Sequence, residues 1–95
     1  MLLFVKARVS LERLPEFARK LASGELGPSA VKWTFCLADD PAVGLSLWEV
    51  ETRADFDARF ARCSEYYADL LEVTPVIAAV ESLRLLLSDR PPTAR

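Results

Sequence analysis

Histidine is missing from all 95 residues of this chain. Its absence excludes the imidazole base of a nucleophilic triad, a His-ligated haem and most zinc sites. Cysteine occurs twice, at Cys36 and Cys63, with no CxxC or other metal-ligand spacing. Two core-like thiols suit a reducing compartment, so no structural disulfide, no metal and no cofactor is expected. Positive charge is scarce as well. Lys and Arg total 12 against 14 Asp and Glu, for a net charge of -2, and no basic block is present, which excludes a nucleic-acid footprint. Long apolar runs are also lacking: "LLFV" is too short for a signal segment and leads directly into Lys6 and Arg8, and "LRLLL" cannot span a bilayer. The expectation is a soluble, cytoplasmic protein with neither membrane nor nucleic acid as a partner.

What is present describes a globular chain. Hydrophobic residues make up 52% and charged residues 27%, too apolar for disorder and too charged for a membrane protein. A chain of this length holds one core, with a stability of roughly 5–14 kcal/mol. Residues 1–88 are assigned to a single domain and 89–95, "DRPPTAR", to a flexible tail.

Periodicity supplies the elements. Leu3, Val5, Ala7 and Val9 alternate with Leu2, Phe4, Lys6 and Arg8, as in a strand with one face polar toward its end. A helix starts near Leu14 with Pro15 at its first turn. Phe17, Ala18, Leu21 and Ala22 continue its apolar stripe and Gly24 stops it. Val31–Ala38 and Val43–Glu51 alternate again around the turn chemistry of "ADDPA". Pairing Leu37 with Val43 gathers Trp33, Phe35, Leu37, Val43, Leu45 and Leu47 on one face, assigned to the helices. Thr34, Cys36, Ser46 and Trp48 then share the other. A one-residue slip would interleave the two sets and pair Lys32 with Glu49.

Thr52 is a helix cap and Asp55 reaches back to it. The stripe Phe56, Phe60, Cys63, Tyr67 and Leu70 or Leu71 extends that helix. "VTPVIAAV", from Val73 to Val80, is a fourth strand at an edge because Pro75 lacks an N–H. "ESLRLLL" is a short terminal helix or extension.

The order is βαββαβ: an α+β, ferredoxin-like arrangement of a four-stranded antiparallel sheet with two helices on one face and the first and third strands central. The uncovered face would carry Leu2, Phe4, Trp48 and Val50, an apolar patch too large for a monomer. Pairing two sheets about a two-fold axis covers it. The expected partner is therefore a second copy, in a homodimer.

"MLLFVKARVSLERLP", "LSLWEVETRADFDARF" and "YYADLLEVTPVI" together resemble the dimeric α/β-barrel superfamily. The first two are similar to the muconolactone isomerase family and the ending "DLLEVTPVI" to a short bacterial family of unknown function. The resemblance implies a barrel-forming dimer with a small-molecule cavity between sheet and helices. It also brings in isomerases and cofactor-free monooxygenases as relatives, whose catalytic histidines have no counterpart here.

Candidate residues follow from chemistry. Glu49, late in a central strand and on the face assigned to the helices, would have apolar neighbours that raise its pKa toward that of a general base, unless it frays into solvent or pairs with Lys32. Trp33 and Trp48 can stack on a planar ligand or serve as core. Tyr67 lies on the buried stripe, where its hydroxyl needs a partner or a cavity; Tyr66 lies beside the stripe and would rim the pocket. Lys6 and Arg8, on the dimer face, need a carboxylate across the interface or an anionic ligand. Cys36 has no activating cation and is expected to be buried and inert; Asp39 and Asp40 form a turn. The function these residues suggest is a binding or oligomerisation domain for a small apolar or aromatic ligand. The alternative is an isomerase or cofactor-independent monooxygenase with Glu49 as proton shuttle in an aromatic pocket.

Overall fold

A computed structural model describes residues 1–27 and 29–89 of the chain. The strands are β1 (Leu2–Val9), β2 (Val31–Leu37), β3 (Asp40–Glu49) and β4 (Tyr67–Val76). The helices are α1 (Leu14–Ser23), α2 (Arg53–Ala61) and α3 (Ala79–Asp89), with a single 3-10 turn at Ser64–Tyr66. The strands form one antiparallel sheet in the order β2-β3-β1-β4, so β1 and β3 are central as the pattern predicted. The class is α+β and the order is compatible with a ferredoxin-like fold. The tail expected from residue 89 lies, after Asp89, outside the described residues.

The helix boundaries follow local chemistry. Pro15 sits in the first turn of α1, and Gly24 closes that helix at φ 79°, the left-handed conformation that a side chain disfavours. At α2 the Asp55 amide donates to Thr52 Oγ1 at 3.0 Å, while Asp55 Oδ2 accepts from the Glu51 amide at 3.0 Å. The capping carboxylate thus reaches one residue further back than the usual box.

The second helix is shorter than its stripe predicted. It ends at Ala61, the chain turns through Ser64–Tyr66, and Tyr67, Leu70 and Leu71 belong to β4, which runs from Tyr67 to Val76 instead of Val73 to Val80. Strand and helix spacing coincide over so short an apolar run, and pairing with β1 decides the matter. β4 gains partners from Leu2↔Val76 to Val9↔Tyr67, accommodating two register shifts.

The hairpin has the segregated register, with Trp33↔Leu47, Phe35↔Leu45 and Cys36↔Gly44. The turn is tighter than expected, because β3 begins at Asp40, opposite Leu37. A shift beside Val31 frees Lys32 to reach Glu49 in the same register.

The faces, however, are the reverse of the expectation. β1 fixes the phase: Leu3, Val5 and Ala7 are buried and stand opposite Trp48, Ser46 and Gly44. The helices therefore cover the mixed face. Trp48 and Val50 lie in the core with Leu3, Val5 and Phe56, not on the open side. Small residues at 44 and 46 leave room for the rings of α2: Phe56 packs edge-on to Trp48 at 4.9 Å and stacked on Phe60 at 5.5 Å. The larger apolar set, including Trp33, Phe35, Leu45 and Leu47, shares the uncovered face with Leu2, Phe4, Lys6 and Arg8.

Candidate functional site

Three adjoining cavities occupy the space between the helices and the mixed face of the sheet. One of about 120 Å³ lies under Phe17 and Leu21 of α1 and beside Arg59, Arg62 and Cys63. A second, of about 70 Å³, lies against the sheet at Thr34, Ser46 and Phe60. The first two share Val31 and Trp48. A third, of about 350 Å³, opens toward Leu11, Cys36 and Pro41. Tyr67 lines all three.

The bulge-shifted start of β4 places Tyr67 there, with its ring 5.2 Å from Phe60 and 5.5 Å from Phe17. Its hydroxyl makes no hydrogen bond among the described residues. Burial, with the nearby Cys63 and Cys36 thiols, pushes its pKa up to about 12, so at neutral pH it is an un-ionised O–H able to donate or accept. Trp48 is occupied: its Nε1–H donates to Ser46 Oγ at 2.9 Å. Arg59 donates to Asp55 at 2.9 Å; the Glu51 amide foremost, and then Arg59, hold the Asp55 carboxyl below its ordinary pKa. Arg62, at the end of α2, has no ion pair among the described residues. The Cys63 thiol is half-buried, contacts the Phe60 carbonyl oxygen at 3.5 Å, and is pushed up in pKa by burial. Raised thiol pKa values mean a weaker nucleophile at neutral pH.

Of the aromatic residues assigned to a pocket, this arrangement unites only Trp48 and Tyr67. Trp33 is on the opposite face, 38% exposed and against Phe35 at 5.1 Å. Tyr66 is fully buried outside the cavities: its ring stacks on Phe17 at 5.0 Å, lies under Arg13 and Lys20, and its hydroxyl donates to Glu16 at 3.4 Å. The 3-10 turn rotates it away from the helical position that would have made it a rim.

Glu49 is on the uncovered face, not against the helices. Its side chain is 56% exposed and paired with Lys32 at 3.1 Å, so the apolar surroundings expected of it are absent. Arg8 pairs with Asp40 of its own chain at 3.0 Å, and Lys6 stands in register with Glu72. Asp39 is in the hairpin turn, as expected. Cys36, expected to be buried, is exposed, because β2 is an edge strand and α1 leaves its helix-side face uncovered there. No group of three or more potential metal ligands occurs among the described residues.

Phe17, Arg62 and Cys63 are lining residues that were not singled out for the cleft. The signal for them was the small-residue alternation Gly44–Ser46, which marks the side of β3 where rings from the helices and empty space can fit. The fold and site together define a small α+β domain with an apolar, donor-bearing cleft on one sheet face and an uncovered apolar surface on the other. No helix among the described residues is long and apolar enough to cross a membrane. Comparison with protein-family models, with curated proteins and with solved structures finds no match to this chain.

Proposed function

We propose that this chain is a ferredoxin-like subunit of a dimeric α/β barrel that binds a small, largely apolar molecule in the cleft around Tyr67. The observation that carries the binding role is that Tyr67, whose hydroxyl makes no hydrogen bond among the described residues, lines all three cavities, walled by Phe17, Trp48 and Phe60. Specific small-molecule sites combine such apolar walls with a few placed polar groups. The first cavity, about 120 Å³, suits one six-membered ring, since an engineered cavity of about 150 Å³ holds benzene. Support for pairing comes from the uncovered face, where Trp33 and Phe35 are 38% and 64% exposed beside Leu45 and Leu47. Face-to-face dimerisation covers them and leaves the cleft open on the outside.

Calorimetric titration with phenol tests the binding role, because phenol offers one ring and one hydroxyl to Tyr67. Saturable binding of one phenol per chain is expected, weakened at least tenfold in Leu21→Trp. That substitution fills the cleft from a position 59% exposed and leaves the core untouched. No binding by the unmodified chain, or equal binding by both, would refute a ring-sized site.

A further inference from the structure

The terminal helix α3 is inside out for a monomer. Val80, Leu83, Leu86 and Leu87 occupy an arc of roughly 120° on a helical projection. Val80 and Leu87 are 75% and 71% exposed, whereas Glu81 and Ser82 on the other side are half-buried. Among the described residues its side-chain hydrogen bonds, from Arg84 to Glu81 and from Ser88 to the Arg84 and Leu85 carbonyls, stay within the helix. An isolated helix of 11 residues is marginal in water. The molecule is drawn out accordingly, 57 Å long with a radius of gyration of 16.7 Å, where a compact chain of this length has about 12 Å.

We propose that α3 is an exchanged arm, packing its Val80–Leu83–Leu87 stripe on the Trp33–Phe35 end of β2 in a second copy of the chain. This rests on the dimer reading above and adds to it. Leu2 pairs with both Val76 and Glu49, and Trp48 with Val31, so α3 leaves the sheet at the end where β2 begins. With the two-fold axis along the strands, β4 of one copy lies over β2 of the other. Each arm then arrives beside the partner's exposed aromatic pair.

Area supports the same arrangement. Four strands about 4.8 Å apart and seven residues long present a flat face of roughly 440 Å², short of the roughly 800 Å² per partner of a stable interface. An arm of about 16 by 10 Å adds roughly 160 Å² of its own per copy, the patch it covers on β2 being already part of the sheet face, and closes nearly half of the gap. The charge of α3 favours a protein partner over a lipid surface: in sequence it carries one cation, Arg84, against two acidic residues, Glu81 and Asp89, where interfacial helices are rich in Lys and Arg.

The experiment places p-benzoylphenylalanine at Leu83, mixes isotopically light and heavy full-length chains, and maps the photo-adducts. Sedimentation of Leu83→Asp/Leu87→Asp and of Phe35→Ser runs alongside. Expected are light–heavy adducts within residues 33–53 and a dimer dissociation constant raised at least tenfold by the double Asp variant, with its circular dichroism unchanged. Adducts confined to one chain, or wild-type dimerisation of the double variant, would overturn the arm while leaving the sheet-face dimer. A chain monomeric at every concentration would remove both. Co-flotation with phosphatidylglycerol vesicles, lost in the double Asp variant, would reassign α3 to a membrane surface and likewise overturn the arm.

Discussion

Replacing Phe56 by alanine tests the reversed assignment of the sheet faces. The side chain is completely buried, edge-on to Trp48, stacked on Phe60 and covered by Arg53 at 5.6 Å. A buried Phe→Ala change costs about 3–5 kcal/mol through lost transfer energy and the cavity left behind. The two ring pairs account for about 0.5–1.5 kcal/mol each beyond area. Against a total of about 5–14 kcal/mol for a chain of this size, at least about a fifth of the stability should go. Urea unfolding followed by tryptophan fluorescence is the assay, at concentrations where the chain is monomeric. With a slope of about 2 kcal/mol/M, the midpoint falls by about 1.5–2.5 M at unchanged slope. Phe35→Ala, at a position 64% exposed, should shift it by less than about 0.5 M in the same experiment. Equal shifts for the two variants would mean that Phe35 faces the core, and the account of which sheet face the helices cover would be wrong.

Three further outcomes are expected. Tyr67 should ionise near pH 12 in an absorbance titration at 295 nm; the unfolded tyrosine loses its proton near 10, so its contribution to folding stability is unchanged below pH 10 and falls as pH rises to 12, by up to about 3 kcal/mol. Tyr67→Phe should remove that share of the alkaline loss and leave the share of the Cys63 thiol, and an unchanged stability–pH profile in the variant would contradict the assignment. Thr52→Ala, which removes the acceptor for the Asp55 amide, should lower stability by about 1 kcal/mol in thermal or urea unfolding. Glu49→Gln, which breaks an exposed pair with Lys32, should change the unfolding free energy by less than about 1 kcal/mol; a larger loss would show a structural role that the exposure of the pair does not support.

How much of this was legible beforehand differs from element to element. The Pro15 start and Gly24 stop of α1 and the Thr52 cap rest on local chemistry, whereas the central β1 and β3 follow from the βαββαβ order and the hairpin register from the segregation of apolar side chains; the sequence patterns were enough to find them. The end of α2 was not accessible that way. Phe56, Phe60, Cys63 and Tyr67 keep helical spacing, and only the gain of the ladder from Tyr67 to Val76 with β1 makes the chain abandon the helix. The phase of the sheet failed for a different reason. The larger apolar set was given to the helices on burial alone, but Leu3, Val5 and Ala7 of β1 select the face that receives Trp48. That choice sent Glu49 and Trp33 outward, and removed them from the cleft together. Tyr67 was expected to need a partner or a cavity, and its side chain does line the cleft, though from a strand instead of a helix.

The two margins of the sheet differ. β4 carries Pro75, which has no amide to offer, and register shifts that break the flat run of donors and acceptors. β2 has neither proline nor glycine; its central residues Lys32–Cys36 are exposed, and Lys32 is its only charge. A row of free amides and carbonyls beside Trp33, Thr34 and Phe35 is a template on which another extended chain can add, and gatekeeping by one lysine is thin. Growth at high concentration or during slow refolding is therefore one-sided, starting from β2. Anything that lies along that margin protects the protein from self-templating as well as holding it together.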